Sequence, residues 1–568
     1  MDKRKTAKID YSLERLSSQA DKYYNEGKYL PALRLAYRQY DLYGGDGDVF
    51  ARLCDIYEGM GLHGSALNWW YRFLDIATEE DLPEIYEGIA VNYLNLGNES
   101  QAAYYYNQLI DTDAGLPEEA KLDIIETFSR DKKTNFRFVY PPKLADYSKE
   151  IEQGSRALKA GDCKRAIQTL DLVAKGAKGY EKAKEMQAVA YLLAGDEKAA
   201  ETVCLELLED YPNDVRVLAT LSAVYLEQGR EEESKNLALR LYEGQQTNAE
   251  ELYKVATVCC ENGLHEEAYQ KFCLLEKEMP YDGRMLYFKA VAAYKSGRID
   301  EAEKTLSDLC AVYPDAEVAK FYLHALRLRD EAVMQENLQE MNYFYHVPKA
   351  ERESRCRSLI HIGKCPKDEA QLFGLIALHD GYFRWCFDEM DGAEHDLQYL
   401  ALATAEHVRA DDFIREVLLD SEVMDVLKVE TLRMLYNRNE DMWLGIVLCH
   451  IYRKIFLLRL VIGRKKRKRF IAAYAKIASK FVAVQDSYGK KLKATTESLY
   501  KALETQEKLY LVENEDDLSC AIYLLSGIKD LGTDLQTLAP VMGANAEKVQ
   551  AIIEVAHTQP RENKRVDK

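Results

Sequence analysis

The stretch 185–212, "EMQAVAYLLAGDEKAAETVCLELLEDYP", carries apolar residues at helical spacing on both sides of Gly195. That pattern predicts two helices joined at the glycine. Gly195 ends the first helix, because a left-handed C-cap costs least at a residue without a Cβ. Ala200 is small where the two helices must cross closely. Pro212 stops the second helix, since it has no N–H to donate and its ring clashes with the turn before it. One such hairpin cannot bury its own apolar face, so it needs neighbours.

The neighbours are present. Gly161, Gly195, Gly229, Gly263 and Gly297 recur every 34 residues. Four residues before them stand Ala157, Tyr191, Tyr225, Cys259 and Ala293; five residues after them stand Ala166, Ala200, Ser234, Ala268 and Ala302. Leu170, Cys204, Ala238, Phe272 and Leu306 follow, and Pro212, Pro280 and Pro314 close three of the units. Less even versions precede them. They are marked by Ala20, Tyr23, Gly27 and Ala32; by Tyr57, Gly61, Ala66 and Trp70; and by Ala90, Tyr93, Gly97, Ala102 and Tyr106. A 34-residue period with these markers resembles the tetratricopeptide repeat (TPR), over roughly residues 13–316. The fold class expected is all-α, a TPR superhelical solenoid followed by a helical C-terminal region.

The organisation expected is an N-terminal array over 13–130 (three units and a helix), a connector over 131–146 around Pro141 and Pro142, and a five-unit array over 147–316. A helical extension over 317–440, a basic helical segment over 441–513, helix-turn-helix-like helices over 514–556 and a charged tail over 557–568 complete it.

The resemblance moves the search for function from a catalytic pocket to a groove lined by the first helices. It assigns to that groove Val189, Leu192 and Leu193; Ala219, Ala223 and Leu226; Tyr253, Thr257 and Cys260; and Tyr287, Val291 and Tyr294. The lining is mostly apolar with three tyrosines, which bring contact area at little rotamer entropy. A helix with an apolar stripe or an extended apolar peptide is the expected guest, either from a partner protein or from this chain itself. One TPR branch binds chaperone C-termini through cationic and amide side chains. The matching positions here hold Ser17 and Asp21 in one array and Ile151 and Ser155 in the other, which make no such clamp.

The net charge of −19 hides an asymmetry. Between Arg453 and Tyr510 the local charge is +12, which leaves about −31 on the rest. The acidic remainder repels nucleic acid and anionic membrane; only the basic segment attracts them. Its sharpest run is Arg464, Lys465, Lys466, Arg467, Lys468 and Arg469, expected at a helix end or interhelical turn. It reads as a solvated turn, a nucleic-acid patch or a patch for an acidic partner. Near the end, Ala539, Gly543 and Val549 have the spacing of a helix-turn-helix, similar to the last helices of a cyclin-like or transcription-factor-type domain. Base reading there would fall to Asn545, Lys548 and Gln550, but Glu547 and Glu554 oppose the single cation.

The most apolar stretch, "MWLGIVLCHIYRKIFLLRLVIG", contains His450, Arg453, Lys454 and Arg459, so it is expected as a buried helix and not a membrane span. The start, "MDKRKTAKIDYSLERL", lacks the apolar core of a secretory signal. Twelve cysteines without C-x-x-C spacing suggest reduced thiols in a cytoplasmic protein. Cys356, His361, Cys365, His379, Cys386, His395 and His407 are scattered, and Gly363 and Pro366 argue against a shared helix face for His361 and Cys365, so no metal is expected. No phosphate loop, His-x-x-x-His motif or nucleophile elbow is found, and no cofactor is implied. The expectation is a non-enzymatic scaffold or adaptor for a protein or peptide partner. The alternative is a regulator with a TPR sensor and a C-terminal nucleic-acid-binding region.

Overall fold

The computed structural model describes residues 12–112, 121, 122, 124, 147–329, 331–388, 394–482 and 487–557. The expected connector, most of the helix expected before it and the charged tail beyond residue 557 lie outside the described residues. The chain divides into two compact units, 130–348 and 1–129 together with 349–568. The stretch expected as one extension, 317–440, is therefore shared between them.

In the unit 130–348 the five hairpins appear as Ser148–Lys159 with Cys163–Leu170, Tyr180–Leu193 with Glu197–Asp210, Val215–Glu227 with Glu231–Glu243, Ala249–Glu261 with His265–Leu275, and Gly283–Lys295 with Ile299–Val312. A sixth pair, Glu317–Arg327 with Ala332–Gln339, continues the stack. It escaped the repeat pattern because Glu331 stands where the glycine would be. The turn geometry follows from the glycine. At Gly195 φ is 76°, and the next N–H, of Asp196, bonds back to the carbonyl of Tyr191 at 2.9 Å. Ala200 is fully buried, as are Ala166, Ala268 and Ala302. In the third hairpin Ser234 replaces the alanine, and its hydroxyl lies 2.7 Å from that of Ser222 across the crossing.

In the other unit three hairpins, Leu13–Asn25 with Tyr29–Tyr43, Gly47–Gly59 with His63–Ile76 and Leu82–Asn95 with Glu99–Asp111, are followed after residue 348 by a helical region. One expectation is corrected here. The apolar stretch from Met442 is no helix but an antiparallel hairpin, β1 Met442–Leu448 and β2 Ile451–Leu457, with Trp443 opposite Phe456 and Ile446 opposite Arg453. Its two turn residues, Cys449 and His450, both have positive φ, 51° and 60°. That pair of left-handed residues matches the right-handed strand twist. The turn docks on the N-terminal hairpins: the hydroxyls of Tyr71, Tyr93 and Tyr105 lie 3.0, 3.3 and 3.3 Å from the His450 carbonyl oxygen. Tyr452 donates its backbone N–H to the Tyr105 oxygen, and its own hydroxyl donates to Asp75. Asn68 pins the neighbouring segment through Asp420 and Ser421.

Candidate functional site: the first-helix face of the second array

The twelve positions that the resemblance assigns to the groove fall into two sets. Val189, Leu192, Ala219, Ala223, Leu226, Tyr253, Thr257 and Tyr294 are half-buried, and Leu193 is 64% exposed. Cys260, Tyr287 and Val291 are buried.

Cys260 and Tyr287 of the second set are met by a segment of the same chain. After the helix Ala332–Gln339, residues 341–348, "MNYFYHVP", run without regular secondary structure across the first helices of the last hairpins. The Tyr345 ring meets Tyr287 edge-on at 4.8 Å between centroids. Tyr343 packs edge-on against Phe288, and its hydroxyl lies 2.9 Å from His265 Nδ1. The Tyr287 hydroxyl donates to the carbonyl of Phe344 at 3.4 Å, and that of Tyr322 to the carbonyl of His346 at 3.0 Å. Burial, with the neighbouring Cys260 thiol, pushes the Tyr343 phenol far above its ordinary range. Burial also raises Cys260. Phe344 points away and stays 73% exposed. An occupant from this chain was one of the two expectations, but that residues 341–348 supply it, as a strap, was not foreseen from the sequence. Its signal is a cluster of aromatic residues without helical period, closed by Pro348.

Tyr253 keeps a phenol raised by burial and bonded to Arg284. The face beside it carries charge as well as apolar surface. Lys254 bridges two hairpins through Glu185 at 3.1 Å.

The residues considered for nucleic acid are occupied differently. Asn545 caps its own helix by accepting from the Lys548 N–H, and its backbone N–H donates to Asp517. Lys548 pairs with Glu513 at 2.6 Å, and Gln550 donates to Glu554. The helices Leu535–Val541 and Ala546–His557 meet at Gly543 (φ 71°), with Ala539 and Val549 buried. Lys466 to Arg469 open a helix, with Arg464 and Lys465 in the turn before it, and all six side chains are exposed.

His361 and Cys365 do share a helix end, with 3.5 Å between Nε2 and Sγ, because Lys349–Lys364 continues through Gly363. Among the described residues no three His, Cys, Asp or Glu side chains converge as metal ligands.

The tetratricopeptide repeat family matches residues 151–215, the first two hairpins of the second array. The chain thus carries tetratricopeptide repeats. No curated protein sequence matches it. Among solved structures it is similar to yeast Tom70 at 14% identity, over 95% of this chain and 99% of that one, with a TM-score of 0.28. It is similar to a tetratricopeptide repeat protein of Parabacteroides merdae at 15% identity, over 51% and 99%, with a TM-score of 0.23. The TPR2AB-domain:pHSP90-complex of yeast Sti1 matches at 14%, over 46% and 98%, with a TM-score of 0.20. Among the described residues no helix is long and apolar enough to cross a membrane.

Proposed function

We propose that the chain is a non-enzymatic protein-recognition scaffold whose second array binds an extended, aromatic-bearing peptide segment of a partner protein. The binding face is that of Val189, Leu192, Leu193, Ala219, Ala223, Leu226, Tyr253 and Thr257. The observation that carries the reading is the strap. At the far end of the same row, the chain lays an irregular, bent segment over Cys260 and Tyr287, with side chains anchored by rings and main-chain carbonyls held by tyrosine hydroxyls. Eight of the nine positions outside the buried set are the continuation of that row, Tyr294 lying on the same helix as Tyr287, and Leu193 is open to solvent there. A non-helical guest is favoured over a helix because the occupant already in place is non-helical. The twelve cysteines are all free, which fits a reducing compartment such as the cytoplasm.

The test is a pair of variants. Leu193→Asp with Tyr253→Ala should remove binding of the partner peptide at unchanged thermal stability, since hot-spot anchors cost about 2 kcal/mol or more each when truncated. Leu205→Asp, on a second helix and also exposed, should leave binding alone. Retained binding in the groove pair would end the proposal.

A further inference from the structure

The run Arg464–Arg469 does not spread over the surface. Arg464, Lys466, Arg467, Lys468 and Arg469 together line one depression of about 520 Å³, and no carboxylate lines it. Lys466 turns the chain in the left-handed region (φ 55°) and starts the 15-residue helix Arg467–Phe481. Two of the cations are fixed in place: Lys466 Nζ and Arg469 Nη1 both donate to the carbonyl of Val512, at 3.2 and 2.6 Å. That acceptor is neutral, and the carboxylate both cations act on, Glu513, is shared with Lys548. Arg464, Lys465, Arg467 and Lys468 make no ion pair among the described residues. The nearby carboxylate, Glu513, is drawn chiefly to Lys548.

This arrangement opposes the helix it begins. A helix N-terminus favours negative charge, yet this one has no acidic residue in its first turn and no side-chain cap. Placing six cations around it costs stability unless an anion sits among them. We propose that the depression binds a compact anion bearing two or more phosphoryl groups, held by Arg464, Arg467 and Lys468 around the seat that Lys466 and Arg469 fix. The forked donors of arginine match phosphoryl oxygens in pairs. A nucleic-acid strand fits less well. It needs cations in a continuing row, whereas the adjoining helix Ala546–His557 has its Lys548 paired and carries Glu547 and Glu554.

The intact chain would be titrated calorimetrically with tripolyphosphate, with sulfate at matched ionic strength, and with a short DNA duplex. Vesicles with and without a phosphoinositide bisphosphate would form a further arm. The expected result is saturable tripolyphosphate binding, at least tenfold tighter than sulfate, and weakening as salt rises. The variant Arg464→Gln, Lys465→Gln, Arg467→Gln, Lys468→Gln should lose at least tenfold in affinity. It should also melt no lower than the native chain, because Lys466 and Arg469 remain on Val512. Vesicle binding that tripolyphosphate displaces would assign the phosphates to a lipid headgroup; tripolyphosphate binding with no binding to either vesicle would assign them to a free ligand. Affinity no better than for sulfate, an unchanged affinity in the variant, or tighter binding of the duplex than of tripolyphosphate would each overturn the proposal.

Discussion

Two glycines in this chain are glycines for different reasons. A Cβ placed on Gly195 meets nothing within 4 Å, so only its φ of 76° requires glycine. A left-handed L-residue costs about 1–2 kcal/mol. Gly195→Ala should therefore destabilise by about 1 kcal/mol, read as a lower urea midpoint, with the fold retained. Gly88 lies inside a helix, where a Cβ would stand 2.3 Å from Trp70 Cε2. Gly88→Ala must move the indole, whose Nε1 donates to Glu58 at 2.7 Å. Overpacking of this kind costs about 1–3 kcal/mol. Near-UV circular dichroism should change for Gly88→Ala and not for Gly195→Ala; the same spectral change in both would refute the distinction.

At the scale of the element, the β1–β2 hairpin is held from beneath by Lys428. This side chain is 1% exposed and donates to the carbonyls of Asp420 and, at 2.7 Å, Val447. Burial pushes it down to about 8 from its ordinary 10.5, against the pull of Asp420, Asp425 and Glu422. The folded chain then binds fewer protons than the unfolded chain between these values. Lys428's contribution to stability is thus present above 10.5 and lost as pH falls through about 8. Lys428→Met should abolish this slope. The stability of the native chain relative to the variant should rise with pH above 8, by no more than about 3 kcal/mol in all. The difference between the two proteins is the quantity to measure, because buried thiols such as Cys204 and Cys259, raised to about 12, bend both curves the other way. A flat difference would mean that Lys428 is not perturbed.

The same hairpin marks where the sequence stopped being legible. Its first strand buries Leu444, Gly445, Ile446 and Val447 in succession, so both faces are covered and no alternation appears. Its turn is Cys449–His450 in place of an asparagine–glycine signal. An apolar run of that length reads as a helix. The repeat hairpins were legible because each carries its own punctuation, a glycine that must be left-handed and an alanine that must be small. The candidate groove was legible only as positions in a repeat. That Tyr287 and Cys260 are covered depends on residues 341–348, more than 50 positions beyond Tyr287 and outside the period.

At the scale of the whole molecule, the second array sets a limit on how its face can be tested. Tyr287 is fully buried between Tyr345 and Tyr322, so Tyr287→Ala should cost about 3–5 kcal/mol and release the strap, not merely remove a contact. Proteolysis within 341–348 would report that release; a variant as stable and as resistant as the native chain would show that the strap is not anchored there. Tyr253, half-buried, and Leu193 can be changed without this cost. The central claim is that this open part of the row takes an extended peptide. Selection of random octapeptides on the intact chain tests it most directly. The account predicts enrichment of sequences with aromatic or large apolar residues at alternate positions, whose binding is lost in Leu193→Asp with Tyr253→Ala and kept in Leu205→Asp. No enrichment, or peptides that bind the groove pair as they bind the native chain, would contradict it.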